Sequence, residues 1–369
     1  MNPIKLALVR RRFSLSGGAE NYAVRLAAGL AARGIDVHIV AEKWPEKNAP
    51  GPLHQIGETL SPASFADRVA AFLAEHSFDV VFSLERIHGA DVYRDGDGVH
   101  REWLSRKAGT KHALGRVLDL FNFKQWQILR LEREMFDPAR TSRVIANSRR
   151  VAAEITRWYP FPAERIEVIY NGVEAARFAA GNRERVRKQF GVAPDEFLLL
   201  LVGSGARRKG VPAALQAARL LMERRARILV LGHDSASWCA ADGHALYASP
   251  TDHPEDFYAA ADVFLLPSLY EPFSNACLEA LAAGLPVVTS QPNGAAEILE
   301  RDIGAVLHDP ADPRAIASAV APFLDRARLA AVKPLAQAKA AEFSLDRNVE
   351  QTLKIIRQTA ETRKKNGLK

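Results

Sequence analysis

Residues 197–205 read FLLLLVGSG, six apolar side chains in an unbroken run that stops at a glycine turn. A strand with one wet face alternates apolar and polar residues, whereas a strand without polar positions is buried on both faces, as in a parallel sheet flanked by helices. This run therefore predicts an α/β architecture, and its surroundings extend the pattern. VPAALQAARLLMERR reads as helix, ARILVLGH as strand, PEDFYAAA as helix, DVFLLPS as strand and PRAIASAVAPFLDRA as helix. Upstream, IKLALVR (residues 4–10) is a short buried strand. After it come a glycine turn, a helix whose Tyr22, Leu26 and Leu30 spacing ends at Gly34, and the strand DVHIVAE, which together make a βαβ unit. The alternation continues through SFADRVAAFLAEHSFDVVFSLE and SRVIANSRRVAAEITRWYP, and IEVIYNGVE closes this half.

At 369 residues the chain exceeds the usual single core. Two doubly wound, Rossmann-like domains are expected, at 1–172 and 173–347, with a closing helix near 348–369 packing back on the first. Domains of this kind would meet across a cleft, with the carboxyl ends of their strands facing it.

Cys239 and Cys277 are too few for a disulfide scaffold, which makes a reducing compartment the simpler expectation. The start, MNPIKLALVRRRFSLSGG, has an apolar run of about five residues, shorter than a signal peptide needs, and no run approaches the roughly 18 of a membrane span. A cytoplasmic location is expected, with peripheral contact at the inner face of the plasma membrane. The 50 Lys and Arg against 43 Asp and Glu give +7, which favours anionic partners. Nucleic acid is disfavoured because no readout motif is recognisable.

Three glycine turns follow strands. In Ser16-Gly17-Gly18, before a helix that holds Glu20, the glycines let a sugar or phosphate approach free N–H groups. GSGARRKG, residues 203–210, is neither a dinucleotide fingerprint, since Arg208 stands where the last glycine is needed, nor a P-loop, since Val211 stands where lysine is needed. It sets Arg207, Arg208 and Lys209 at a strand end, where cations can clamp a diphosphate; a solvated charge run is the plainer alternative. The third is YEPFSNACLEALAAGLPVVTS, residues 270–290. Pro272 bars helical dihedrals at Glu271, so Glu271 lies in a loop, while a helix capped by Ser274 or Asn275 carries Glu279 in its second turn. Free N–H groups of Phe273 to Ala276 lie between the two carboxylates. Glu279 could instead serve only the helix dipole, and Glu271 could be a solvated loop residue.

Glu271 and Glu279 within EPFSNACLEALAAGLPVV, together with SGGAE, GSGARRKG and NGVEAARF, resemble the signature of the family-four glycosyltransferases of the GT-B fold over nearly the whole chain. GADVYRDGD, RKGV and a basic aromatic segment after residue 100 are similar to the lipopolysaccharide-core α-glucosyltransferases in particular. The resemblance implies a retaining, metal-independent hexosyltransferase that works as a monomer and needs no cofactor. Arg208 and Lys209 would hold the donor diphosphate, Glu271 the donor-sugar hydroxyls and Glu279 the ribose. Backbone N–H groups of Phe273, Ser274 and Asn275 would meet sugar and phosphates, and Gly17 and Gly18 the distal phosphate. UDP-glucose is the expected donor, with UDP-N-acetylhexosamine, UDP-galactose and GDP-mannose open, and a lipopolysaccharide-type or other lipid-linked glycan the expected acceptor. Many relatives place a histidine at a strand end facing the donor sugar. Here DVYRDGDGVH presents Asp97, with His100, His88 and Asp91 as alternatives. Catalytic roles are thus expected of Asp97, Arg208, Lys209 and Glu271. A nucleotide-sugar 2-epimerase and a binding protein that has lost turnover are the rival readings.

Between His100 and Phe136, Arg101, Arg106, Lys107, Lys111, Arg116, Lys124, Arg130 and Arg133 outnumber the acids, and Trp103, Leu104, Leu118, Phe121, Phe123 and Trp126 interleave. This pattern suits an anionic membrane surface or an anionic lipid-linked acceptor, with Glu20, His100, Arg101, Trp103, Arg106 and Lys107 on that side. Packing of some of these aromatics in the first core is the alternative.

Overall fold

The computed structural model describes residues 3–12, 18–109 and 123–367, those of 18–21 and 108–109 by backbone alone. The chain divides into two compact units, Met1–Tyr170 with Leu345–Lys369, and Asn171–Ser344. The divisions fall within three residues of the expected 172/173 and 347/348.

The first unit is built on a seven-stranded sheet. Its strands are β1 (Lys5–Val9), β2 (Asp36–Ala41), β3 (Leu53–Gln55), β4 (Val80–Ser83), β5 (Ala90–Asp95), β6 (Thr141–Ala146) and β7 (Ile166–Val168), in the order β3-β2-β1-β4-β5-β6-β7. Every pairing is parallel. Period-two alternation sorts β1 between two cores. Leu6 and Leu8 join Leu26 and Leu30 of the helix Gly18–Ala31, whereas Ala7 and Val9 join Phe65 and Val69 of the helix Pro62–Glu75 and Met135 of the helix Phe123–Met135. The last helix, Leu345–Lys365, adds Val349, Leu353 and Ile356 to the first core. Its approach needs glycine at position 29, where a Cβ would stand 2.7 Å from Val349 Cγ2. Asn348 fastens the contact by accepting from Tyr22 Oη (2.8 Å) and donating to the Tyr170 carbonyl (2.5 Å).

The second unit has a six-stranded parallel sheet of β8 (Phe197–Val202), β9 (Ala226–Leu231), β10 (Leu246–Ala248), β11 (Val263–Leu266), β12 (Val287–Ser290) and β13 (Gly304–Leu307), in the order β10-β9-β8-β11-β12-β13. Leu198, Leu199, Leu200 and Leu201 are all fully buried, as the unbroken run required. Chain order reverses between β8 and β11, and at such a switch point the loops leaving the two strands part to form a crevice. Here the loops are the GSGARRKG turn and the segment 267–274. They are stapled by Leu269 N–H donating to the Arg208 carbonyl (2.8 Å). At Gly210, φ is +75° and a Cβ would lie 2.0 Å from the Pro267 carbonyl oxygen, so any other residue would push the two loops apart.

Candidate functional site

Lys209 is 8% exposed, a lysine pulled back against its own turn. Gly203, at φ +143°, makes room for its stem, since a Cβ there would lie 2.8 Å from Lys209 Cε. Lys209 Nζ reaches Glu271 Oε2 at 2.5 Å, and Arg208 Nη1 reaches the same oxygen at 2.8 Å. Burial alone would raise the Glu271 carboxyl, but the charges of Lys209 and Arg208 outweigh it and hold the group below the ordinary carboxylate range. The structure therefore joins what the sequence assigned separately, the diphosphate cations and the sugar-binding carboxylate. With both cations on Oε2, Oε1 remains an acceptor. Arg207 does not join them; it is exposed and lies over the Trp238 ring, 5.8 Å from its centroid.

The segment after Glu271 forms a loop and then a helix, Asn275–Ala282, capped by Ser274. The Ser274 N–H, expected to meet the donor, instead donates to Asn293 Oδ1 (3.3 Å), and both Phe273 and Ser274 are buried. Asn275 Oδ1 accepts from Asn171 Nδ2 at 2.5 Å. Glu279 Oε2 accepts from the fully buried Tyr258 Oη at 2.7 Å, which fixes the carboxylate's direction. Tyr258 is held neutral by burial and by the adjacent Glu279 charge. Two further residues escaped the sequence reading. Asp234, after β9, occupies the backbone N–H groups of Gly205 (2.9 Å) and Ala206 (3.0 Å) with its carboxylate. Asn293, after β12, ties Glu271 to the sheet through a parallel bridge. Neither stands beside an informative motif, so only topology could have found them.

In the first unit Asp97 sits exposed on the turn after β5, and His100 opens the helix His100–Gly109 three residues on. His88 and Asp91 belong to the amino end of β5 and have other work. His88 is held between Asp67 (2.8 Å) and Glu134 (2.6 Å), and Asp91 accepts from Val81 N–H (2.7 Å) and meets Arg363. The strand's direction separates the four candidates, leaving Asp97 and His100 at the carboxyl end. Burial, then the Arg86 charge, lowers the His100 pKa, and its Nε2 meets Gln125. Strand-end groups that the sequence reading passed over crowd here as well. Arg11 and Arg12 both pair with the buried Glu42 (2.9 and 2.6 Å), and Arg10 pairs with Glu85 (3.3 Å).

The expected membrane-side residues divide. Arg106 pairs with Glu102 (2.8 Å), Arg101 covers the Trp158 ring (4.5 Å to its centroid), and Trp103 and Lys107 are half-buried. Phe123 and Trp126 are 74% and 62% exposed. Gly17, Lys111, Arg116, Leu118 and Phe121 lie outside the described residues, as does the Glu20 side chain; Gly18 begins a helix. No helix among the described residues is long and apolar enough to cross a membrane.

Comparison with known proteins adds independent findings. The family model described as Glycosyltransferase Family 4 matches residues 16–177, and that described as Glycosyl transferases group 1 matches residues 196–326. The chain is 30% identical over 364 residues to D-inositol 3-phosphate glycosyltransferase 2 of Catenulispora acidiphila, covering 84% of this chain and 82% of that protein. It is 26% identical over 316 residues to the lipopolysaccharide glucosyltransferase WaaG of Escherichia coli K12, covering 80% and 82%. Among solved structures, WaaG, a glycosyltransferase involved in lipopolysaccharide biosynthesis, superposes with a TM-score of 0.81 at 23% identity over 95% of this chain and 99% of that one. HepE of Anabaena, solved in complex with UDP-glucose, gives 0.70 at 19% over 97% and 99%. With two doubly wound parallel sheets and a cationic pair on a loop glutamate at the second sheet's switch point, the chain belongs to the family-four glycosyltransferases of the GT-B fold.

Proposed function

We propose that the protein transfers a hexose from UDP-glucose to a lipopolysaccharide-core or other membrane-linked glycan, with retention and without a metal. The observation that carries this reading is the Lys209 and Arg208 pair on Glu271 at the β8/β11 switch point. One carboxylate cannot neutralise two cations, so the cluster keeps a net positive charge for a diphosphate, and Oε1 can take a sugar hydroxyl. The C1–O bond to phosphate breaks and a new C1–O bond to the acceptor forms on the same face. The acceptor's proton passes to the departing phosphate oxygen. Such a step asks the protein for positive charge at the leaving group and for positioning, not for a carboxylate nucleophile. Glu279 takes the ribose, and Asp97 is assigned to the transferred sugar. The names of WaaG and of the HepE complex support glucose and UDP.

A thermal-shift panel of UDP-glucose, UDP-galactose, UDP-N-acetylglucosamine and GDP-mannose tests the donor. At 100 times its dissociation constant the true donor stabilises by about 2.7 kcal/mol. UDP-glucose is expected to give the largest shift, and a larger one from another sugar overturns the assignment.

The acceptor reading extends to the membrane. Phe123, Trp126 and Arg130 follow one another at three and four residues, which puts them on one helical face, and all three are exposed. Apolar rings beside a cation suit an anionic bilayer surface. The protein is expected to sediment with anionic vesicles and not with neutral ones, and Phe123→Ala with Trp126→Ala to reduce that binding at least several-fold. Equal binding to both vesicle types counts against this reading.

A further inference from the structure

At the carboxyl ends of β5 and β6, two buried acceptor atoms lack a donor. Asp95 and Asn147 are both fully buried, and among the described residues neither Asp95 Oδ2 nor Asn147 Oδ1 has a hydrogen-bond partner. They are neighbours: Asp95 is in register with Ala146, and Asn147 is the next residue. The amide orientation is set, because Asn147 Nδ2 donates to the Gly96 carbonyl at 3.0 Å and a flip would put oxygen against oxygen. An ionised carboxylate is acceptor-only and leaves both of these atoms without a donor. A protonated one supplies a donor.

We propose that Asp95 is a positioning residue for the transfer reaction, working in its protonated form with the proton on Oδ2 to hold the Gly96–Gly98 turn that presents Asp97. The inference rests on the assignment of Asp97 to the transferred sugar. Two side-chain bonds hold the turn: Asn147 grips the Gly96 carbonyl and Arg86 Nη2 donates to the Gly98 carbonyl. Arg86 is also 3.2 Å from Glu132 Oε2, and it stands 4.0 Å from Asp95 Oδ1. Ionised Asp95 would draw Arg86 toward itself and off Gly98. Neutral Asp95 leaves it in place.

Burial and the surrounding acids favour the neutral form of Asp95, against Arg86, Arg94 and the Tyr93 hydroxyl, which favour the charged one. Tyr93 Oη donates to Asp95 Oδ1 at 3.4 Å. Burial pushes the Asp95 carboxyl up to about 7 against the pull of Arg86, and the acids Glu132 from the helix Phe123–Met135, Asp97 on the turn and Glu154 from the helix Arg149–Trp158 add to the rise. The raised value means that the proton is held below about pH 7 and lost above it. Turnover is therefore expected to fall as pH rises through that value.

The test pairs a spectroscopic and a kinetic readout on the full chain. Infrared difference spectra of wild type against Asp95→Asn are expected to show a protonated carboxyl band near pH 6 that is gone near pH 8. With UDP-glucose as donor, wild-type kcat/KM is expected to fall about tenfold over that interval, while the Asp95→Asn profile, lacking the titrating group, stays flat. Absence of the band near pH 6 overturns the proposal, and so does an alkaline limb unchanged in Asp95→Asn. Asp97→Asn is run in parallel. Full turnover in that variant defeats the assignment of Asp97, and the infrared band still decides the proton on Asp95.

Discussion

Replacing Lys209 with methionine is expected to lower kcat by about 10²–10³-fold, the scale on which one preorganised group at a developing charge acts. Methionine keeps most of the stem's volume in a place where only 8% of the residue is exposed, so the substitution removes charge more than packing. Arg208 remains on Glu271 at 2.8 Å, and the loop glutamate is not left alone. On the proposed assignment, the leaving phosphate then loses its least solvated cation. Glu271 changes as well: burial still raises its carboxyl, and one of the two charges that hold it down is gone. In the wild type the lowered value keeps Glu271 ionised from neutral pH down past the ordinary carboxylate range. In Lys209→Met that ionisation is lost at a higher pH, so the acid limb of activity moves up. Steady-state kcat with UDP-glucose, its pH profile and calorimetric donor affinity check these points together. Unchanged kcat, with donor affinity also unchanged, would remove Lys209 from the site.

The strands legible in the sequence are those buried on both faces. β8 and β11 have no polar residue to break the apolar run, and the Glu271 loop was readable because Pro272 dictates a local conformation. The unread elements lie at sheet margins. β3, β10 and β13 are edge strands of three or four residues, and strings as short as LHQ or LYA carry no periodicity. At the site, the sequence named the residues that bear charge but not their pairing. That Lys209 and Arg208 close on Glu271 depends on β8 and β11 being adjacent, a contact across more than 60 positions that no local pattern states. The same holds for Asp95, which lies two residues before Asp97 in RDGD. Its distinction comes from the neighbouring strand that buries it.

Asn293→Ala is expected to destabilise the second unit by about 3 kcal/mol or more, because one fully buried side chain serves four partners there. Its Oδ1 accepts from Ser274 N–H (3.3 Å) and Ala295 N–H (3.0 Å), and its Nδ2 donates to Thr289 Oγ1 (2.9 Å) and lies 3.5 Å from Cys277 Sγ. Thr289 already donates to the Leu266 carbonyl at 2.7 Å, so it cannot repair the loss by turning its hydroxyl. Alanine thus leaves two buried N–H groups without partners, each costing about 1–3 kcal/mol with some relief from relaxation, and takes one donor from the Thr289 hydroxyl oxygen. The backbone bonds from Glu271 N–H to the Pro292 carbonyl (3.0 Å) and from Gly294 N–H to the Glu271 carbonyl (2.9 Å) survive the change. Glu271 therefore keeps its anchor while Ser274, at the start of the helix bearing Glu279, loses one. Donor affinity should fall more than the Lys209–Glu271 pairing alone would allow. Thr289→Val removes one partner of the same amide and the hydroxyl bond to the Leu266 carbonyl, leaves both backbone N–H groups on Asn293 satisfied, and should cost less than Asn293→Ala. Urea midpoints and UDP-glucose affinities of the two variants measure the difference. Equal midpoints for Asn293→Ala and wild type would mean that the loop is held by its backbone bonds alone.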